Sequence, residues 1–403
     1  MKKFFVVTAI IISSQLSAQD TTTLEQVILT ANKYSTKTTE TGKVVITITR
    51  QEIEKAGSRD LAQVISEMGG VFINGYTNNA GKEKNIYLRG AKVDHTLITI
   101  DGIPLYDASG IGSNFDIRYF PIDNVERIEI LKGSQGTLYG SDAIAGVINI
   151  ITKKGGAKPS VNLVSHFGSY KTKRTGIGFN GHAGKADFNI GLNHFSTDGF
   201  SEAAQPEGSN VQYDKDGYSQ NAIHANFGYQ LNSFIRVQPF LRYSRNKGDL
   251  DQDAFTDEKD FTYTAQNFQA GIKNSFQIKQ SVLNMLYQYN HTKRDYLDDS
   301  TSVNGYYFFN QSGYAAREHF AEAFIVVPFT NFRLTAGADL RASGTDYKAL
   351  QQTVFMPGLI NAAYSNDSIK QQQKSLYAAL HFQKANFTLE TGGRYNHHSE
   401  YGS

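Results

Sequence analysis

The chain has 403 residues, a formal net charge of +2 and no cysteine. The absence of cysteine excludes disulfide frameworks, thiolate metal sites and cysteine nucleophiles, and the near-neutral charge argues against nucleic acid as the main partner. A mean hydropathy of −0.40, without long apolar runs, excludes a bundle of transmembrane helices.

The first 18 residues have the pattern of a secretory signal peptide. Lys2 and Lys3 form a basic start, residues 4–12 are apolar, and residues 16–18 end in small side chains before Gln19. The alternative is a short buried helix, which would not explain why the basic start, the apolar length and the cleavage site coincide. We therefore expect export and a mature chain that begins near Gln19.

Residues 19–41 are polar and predict a mobile arm that contains one β-prone island. An extended island in a loose arm is suited to recognition by strand addition, in which a partner pairs with it as an extra strand. The alternative is a strand that belongs to the following domain. The island consists of Leu24, Glu25, Gln26, Val27, Ile28, Leu29, Thr30 and Ala31.

Residues 42–154 predict a small mixed α/β domain. Thr49 is placed to cap a first helix, a second helix begins near residues 58–61, and Gly69 and Gly70 end it. Apolar runs predict strands at residues 44–48, 71–73, 84–88, 96–100, 125–131 and 147–152.

Residues 155–403 alternate apolar with polar residues or glycine, and tight and long connections take turns between the runs. Long loops are predicted at residues 196–219, 246–264, 292–315 and 343–371. This rhythm is typical of an antiparallel transmembrane β-barrel. We count eleven strands, which start near residues 160, 174, 186, 220, 234, 265, 280, 316, 331, 372 and 386. Because single-chain barrels normally have an even strand number and closed edges, we expect the N-terminal part of a longer barrel of about 22 strands.

Four motifs stand in a fixed order within the N-terminal domain: residues 86–90, 97–104, 122–133 and 138–152. In that order they closely resemble the plug domain of TonB-dependent outer-membrane receptors, over nearly all of residues 23–154. Residues 141–146 are most similar to the vitamin B12 (cobalamin) receptors of that family. The residues that carry the plug motif are Arg89, Gly90, Asp101, Gly102, Glu129, Gly133, Gly140 and Gly146.

These motif residues also have a physical interpretation. The glycines stand at strand ends, where a positive φ or a close backbone approach is needed, as in the turns of any small α/β domain. Arg89 and Glu129 either pair across the boundary between plug and barrel or lie on a solvated surface, and the sequence leaves both open.

The resemblance implies active import without chemistry on the cargo. It implies that a TonB-type energy-transducing protein pulls on residues 24–31, the TonB box, and that the barrel stands in outer-membrane lipid. The implied cargo is a corrinoid, with a ferric siderophore or haem as the alternative. A surface lipoprotein that captures the ligand is a further partner that the resemblance leaves open.

By the same resemblance, cargo contacts come from outward-facing plug loops. They are Tyr76, Thr77, Asn78, Asn79, Tyr106, Asp107 and Ser109. Tyrosines offer flat, amphipathic contact at low entropic cost. Alternatively, Tyr76 and Tyr106 pack against the barrel wall.

Aspartates cluster in two of the long loops, and the Asp-x-Asp-Gly run at residues 214–217 resembles the calcium-ordered loops of cobalamin receptors. Carboxylates that alternate around a glycine suit Ca²⁺. The candidate ligands are Asp214, Asp216, Asp251 and Asp253, and the alternative is ordinary solvated loop acids. No other cofactor is expected.

Two other classes of protein compete with the importer. A passive porin or adhesin barrel would need neither the N-terminal domain nor the β-prone arm. An outer-membrane lipase or protease would need a catalytic constellation, and the sequence shows no nucleophile elbow, phosphate loop or His-Glu-x-x-His motif.

Overall fold

The computed structural model describes residues 27–28, 32–37, 40–57, 59–156, 158–208, 210, 212–299, 307–353, 355–364, 369–385 and 387–402. The predicted signal peptide lies outside them. The arm contributes a short antiparallel pair, β1 (Val27–Ile28) with β2 (Thr36–Lys37).

The N-terminal domain is built on a five-stranded mixed sheet in the order β3-β8-β9-β6-β7. Its strands are β3 (Val44–Ile48), β6 (Thr96–Ile100), β7 (Ile103–Leu105), β8 (Val125–Lys132) and β9 (Gly146–Thr152). β6 and β9 pair in parallel, and the other pairs are antiparallel. A separate hairpin joins β4 (Val71–Asn74) to β5 (Asn85–Leu88).

Three short helices complete this domain: α1 (Arg50–Lys55), α2 (Leu61–Ser66) and α3 (Gly136–Tyr139). The predicted cap at Thr49 is confirmed, because its side chain accepts from the Glu52 backbone while Glu52 bonds back to Thr49. Asp60 and Gln63 form the same capping box at the start of α2. Each box satisfies backbone donors that a helix start leaves unpaired.

The core of the N-terminal domain is aliphatic. Ile65 of α2, Ile128 and Ile130 of β8, and Ile148 and Ile150 of β9 are fully or almost fully buried. Burying side chains of this size contributes about 1.5–3 kcal/mol each. The domain is therefore held together internally by apolar packing.

Residues 160–398 form a single antiparallel sheet, the strand wall, in which neighbours in sequence are neighbours in space. Its strands are β10 (Ser160–Gly168), β11 (Thr172–Ala183), β12 (Ala186–Thr197), β13 (Tyr218–Gln230), β14 (Ile235–Asp249), β15 (Thr262–Ile278), β16 (Ser281–Asp298), β17 (Tyr307–Pro328), β18 (Phe332–Thr353), β19 (Met356–Tyr364), β20 (Lys370–Lys384) and β21 (Phe387–His398).

The eleven expected strands are present, and β19 is a twelfth that pairs with β18 alone, outside the main path. The predicted long loop at residues 343–371 was therefore wrong in part. β18 continues to Thr353 and folds back through β19, because the alternating pattern persists beyond the length needed to cross a bilayer. β16 and β17 likewise extend into the loop predicted at residues 292–315.

The two faces of the strand wall differ in polarity. Buried positions on the inner face include Asn267, Gln288 and Asn290, whereas Met285 and Leu376 on the outer face are 44% and 62% exposed. This arrangement inverts that of a water-soluble sheet and is typical of a barrel with lipid outside and a polar interior. No helix within the described ranges is long and apolar enough to cross a membrane.

Substitution of Gly146 would test how tightly the N-terminal domain is packed. A Cβ at this position would overlap the Leu131 carbonyl oxygen and Leu88 Cδ2. We expect Gly146→Ala to lower the free energy of unfolding of this domain by about 1–3 kcal/mol, measured by urea unfolding of the purified protein. Gly69→Ala is the matched control because nothing lies within 4 Å of its Cβ position; equal loss in both variants would contradict the explanation.

Candidate functional site

The loop between β4 and β5 forms one apex of the N-terminal domain. Tyr76, Thr77 and Asn78 are exposed there, with Tyr76 at 38%. Asn79 is buried, and its side chain donates to the Phe200 carbonyl and accepts from the Phe200 backbone at 3.1 Å. The first three expected cargo residues are therefore accessible, whereas Asn79 fastens the apex to a wall loop.

The second expected cargo loop, residues 105–110, is docked onto the wall. Asn290 Nδ2 donates to the Tyr106 carbonyl at 2.6 Å, and Arg294 Nη2 donates to Ser109 Oγ at 2.9 Å. Asp107 is buried and accepts from the Ser109 backbone at 2.9 Å.

The Tyr106 ring is also covered. The guanidinium of Arg341, on β18, lies 3.6 Å from the ring centroid. Tyr106 and Asp107 therefore shape the loop, and the alternative that Tyr106 packs against the wall matches its position.

Sequence reasoning missed an aromatic ladder on the inner face, beside the apex. It consists of Tyr263, Tyr296, Tyr314, Tyr347 and Tyr364, one from each of β15 to β19. Successive ring centroids lie 6.0, 6.2, 4.8 and 5.9 Å apart. The first tyrosine donates to the Gly81 carbonyl of the apex loop at 2.7 Å, and the last is 56% exposed.

Such a row of aromatic rings offers apolar area together with hydroxyl groups, which suits contact with a large ligand. A signal for it existed in the sequence: each tyrosine stands near the long-loop end of its strand.

Three of the four expected calcium ligands come together in an acidic loop cluster. One carboxylate oxygen each of Asp214, Asp216 and Asp251 lies within 4.8 Å of the others. Asp253 is turned away, exposed, and caps the Phe255 backbone at 2.8 Å. The predicted grouping thus includes three of the four aspartates.

Electrostatics of this cluster favour a cation. Burial and the neighbouring Asp257 raise the pKa of Asp214 to about 6, and burial, with repulsion from Asp251, raises the pKa of Asp216 to about 7. Oδ1 of Asp214 and Oδ1 of Asp216 have no hydrogen-bond donor among the described residues. Neighbouring carboxylates that keep such oxygens without a donor form an arrangement that a hard divalent ion relieves.

Of the predicted TonB box, only Val27 and Ile28 are described, in β1; the other six residues lie outside the described ranges. Directly after the box, Lys33 enters a buried site in the wall. Its ammonium pairs with Glu322 of β17 and lies 5.0 Å from the ring centroid of Tyr377 on β20. We call Lys33, Glu322 and Tyr377 the arm clamp.

The plug-motif residues lie at turns and in the core. Arg89, Gly90, Asp101, Gly102, Gly133 and Gly140 have φ between 54° and 95°, and Gly146 makes the close approach described above. Asp101 also accepts from the Thr152 backbone at 2.9 Å. Glu129 is fully buried and pairs with Arg127 of the same domain at 2.8 Å. This pairing is neither the contact with the barrel nor the solvated position that the sequence left open.

Residues 37–147 match the family model of the TonB-dependent Receptor Plug Domain. The N-terminal domain is a TonB-dependent receptor plug domain. The plug domain's position against a wall of antiparallel strands confirms the fold expected from the sequence.

Curated relatives and solved structures agree with this identification. The Vitamin B12 transporter BtuB of Photobacterium profundum is 28% identical over 255 residues, which cover 62% of this chain and 41% of that protein. The chain thus spans less than half the length of this relative.

Among solved structures, the ferric enterobactin receptor PfeA of Pseudomonas aeruginosa aligns with a TM-score of 0.68 at 20% identity, over 89% of this chain and 58% of that one. The ferric yersiniabactin uptake receptor FyuA of Yersinia pestis aligns with a TM-score of 0.68 at 14% identity, over 88% and 56%. At these identities the likeness shows the fold.

We expect the arm clamp to hold the arm against the wall. Lys33→Ala leaves the Glu322 carboxylate buried without its cation, and breaking a buried pair costs about 3–5 kcal/mol. We expect this variant to release the arm. Because the chain has no cysteine, a spin label on Ser35→Cys reports the release as a mobile component in its electron paramagnetic resonance spectrum.

Lys37→Ala is the matched control, because Lys37 lies on the same arm and is exposed. A label that stays immobile in Lys33→Ala, or becomes equally mobile in Lys37→Ala, would show that the clamp does not hold the arm.

Proposed function

We propose that this protein imports a large, scarce ligand across the outer membrane and that a TonB-type partner drives the transport. The observation that carries the proposal is the plug domain docked on the polar face of a strand wall whose opposite face is apolar. The β-prone arm beside it supplies the segment on which a partner could pull.

We propose a corrinoid as cargo. The support is the 28% identity to a protein described as a vitamin B12 transporter, which exceeds the 14–21% identity to the siderophore receptors whose fold it shares. A ferric siderophore is the second candidate, because the structural neighbours include receptors for ferric enterobactin and ferric yersiniabactin.

The cargo would bind at the end of the wall that carries the aromatic ladder. There Tyr76, Thr77 and Asn78 are exposed on the plug loop whose Gly81 carbonyl accepts from Tyr263 of the ladder. The partner would then add a strand to the TonB box and pull on the arm, which strains the arm clamp first because Lys33 follows the box directly. No bond of the cargo would be broken.

We also propose that the acidic loop cluster binds Ca²⁺. The cluster joins the loop after β12 to the loop after β14, since Asp251 accepts from the Ala203 backbone at 2.6 Å. A bound ion would neutralise carboxylates that otherwise repel, and it would hold both loops in one arrangement above the cargo.

A growth assay tests the proposed transport. Expression of the complete gene in a cobalamin-uptake mutant should restore growth on limiting vitamin B12, and only when the TonB-type energy complex is present. Growth without that complex would favour a passive barrel. Restored iron uptake in place of vitamin uptake would assign the cargo to the ferric siderophores.

The aromatic ladder should contribute to affinity. We expect Tyr296→Ala and Tyr314→Ala each to weaken vitamin B12 binding about 3- to 10-fold, since one aromatic contact contributes about 0.5–1.5 kcal/mol. Equilibrium binding to the purified protein measures this. Tyr287→Ala is the control, because Tyr287 is on β16 but on its outer face and 44% exposed. Unchanged affinity in both ladder variants would remove the ladder from the site.

The calcium proposal has a matched pair of variants. Asp216→Asn removes a carboxylate from the cluster. Asp253→Asn removes a carboxylate from the same pair of loops but leaves the cluster unchanged. We expect Ca²⁺ to protect residues 198–217 from protease in the wild type and in Asp253→Asn, and to lose that effect in Asp216→Asn. Protection that a chelator does not reverse would contradict a bound ion.

A further inference from the structure

A cavity lies between the plug domain and the wall, at the opposite end of the wall from the aromatic ladder. It measures about 440 Å³, within the range of about 300–1,000 Å³ of small-molecule sites. The plug domain forms one side of it, near the end of β9, and residues near the tight-turn ends of β12, β13, β14 and β15 form the other. Ser35 of the arm also lines it, which places the cavity on the arm side.

The lining of this basic cavity is strongly cationic. Six basic side chains and two acidic ones face it. The basic residues are Arg127, Lys153, Lys154, Arg236, Arg242 and Lys273, and the acidic ones are Asp101 and Asp187.

Most of the negative charge near this cavity is already engaged. Asp187 pairs with Arg236, and Arg127 pairs with Glu129. Asp101 accepts from both the backbone and the hydroxyl of Thr152, at 2.9 and 2.8 Å. Of the remaining cations, Arg242 approaches Asp101 at 3.5 Å, and the three lysines form no ion pair with the residues that the structure describes.

Arg242 is the deepest of these cations. It is only 5% exposed, and its guanidinium lies 4.6 Å from the Phe240 ring centroid. Its Nη1 donates to Gln269 at 3.4 Å, whereas Nε and Nη2 have no hydrogen-bond acceptor among the described residues. Nη2 is 3.5 Å from the Asp101 carboxylate, close enough for attraction but without a hydrogen bond. A buried guanidinium with free donors is costly without an acceptor.

Three lysines surround the same space. Lys273 of β15 is half-buried, Lys153 is half-buried at the end of the plug domain, and Lys154 is exposed at the rim. None of their ammonium groups forms a hydrogen bond or ion pair with the residues that the structure describes. Burial, with Arg50 nearby, lowers the pKa of Lys153, so a neighbouring anion would stabilise its charged form.

We propose that this basic cavity is an oxyanion-binding site, through which phosphate or carboxylate groups of the cargo pass on the arm side of the plug domain. Free guanidinium donors and unpaired ammonium groups are the chemistry that recognises such groups. The transit role rests on the proposed import function; the binding of an oxyanion does not.

Pyrophosphate is the probe for binding, measured by calorimetry on the purified full-length protein in detergent. We expect saturable binding that weakens at least tenfold in the double variant Lys153→Gln/Lys273→Gln. Lys154→Gln, at the exposed rim, changes no buried group and should weaken binding about 2- to 5-fold. Lys185→Gln is the control: this exposed lysine lies in the β11–β12 turn, at the same end of the wall but outside the cavity.

Absence of pyrophosphate binding to the wild type would overturn the site. Equal weakening in Lys185→Gln would do the same, because it would reduce the effect to general surface charge. Neither result depends on whether the protein transports anything.

The transit role is tested by uptake. The double variant should bind vitamin B12 from outside with unchanged affinity but take it up several-fold more slowly. Unchanged uptake with lost pyrophosphate binding would assign the cavity to free oxyanions and overturn the transit role. Absence of uptake by the wild type would count against the proposed function and leave the pyrophosphate result standing.

Discussion

Hydrogen bonds from the polar inner face of the wall to backbone carbonyls of the plug domain hold the two parts together. Asn290 donates to the Tyr106 carbonyl, Gln288 to the Pro104 carbonyl at 3.2 Å, Thr345 to the Ala108 carbonyl and Asn189 to the Lys153 carbonyl. Each such bond contributes about 0.5–1.5 kcal/mol net. Most of the buried apolar core lies within the plug domain, but its clusters also include Tyr218, Tyr263 and Phe324 of the wall. Separation of the domain from the wall would therefore break apolar contacts as well as these hydrogen bonds.

Charged side chains cross the same seam and connect its two ends. Arg341 stacks on Tyr106, pairs with Glu318 at 2.8 Å and lies 3.4 Å from Asp142 of the plug domain. Glu318 stands four residues before Glu322 on β17, and both face inward. Two ion pairs therefore lie on the same strand, β17: Lys33 with Glu322 on the arm side, and Arg341 with Glu318 beside the Tyr106 loop.

Local patterns predicted the elements, whereas proximity between distant residues could not be predicted. The spacing of Thr49 and Glu52 is itself the capping box, and alternation identified eleven strands because lipid and lumen impose it at every position. Asp251, by contrast, meets Asp214 and Asp216 through the register of β13 with β14, which one sequence does not state. Tyr106 has the chemistry of a cargo contact, but the register of β18 places Arg341 over its ring. The ladder was missed for the same reason.

The two ends of the wall place complementary demands on a single cargo. The aromatic ladder favours a ligand with a broad apolar face, because its five rings follow one another at centroid distances of 4.8–6.2 Å. The basic cavity favours anionic oxygens, because two nitrogens of Arg242 lack an acceptor and the surrounding lysines form no ion pair within the described part of the chain. A simple sugar lacks the charge, and inorganic phosphate lacks the apolar face. A large planar ligand that carries a phosphate or carboxylate meets both demands, and it would bind by stacking at one end and leave by charge at the other.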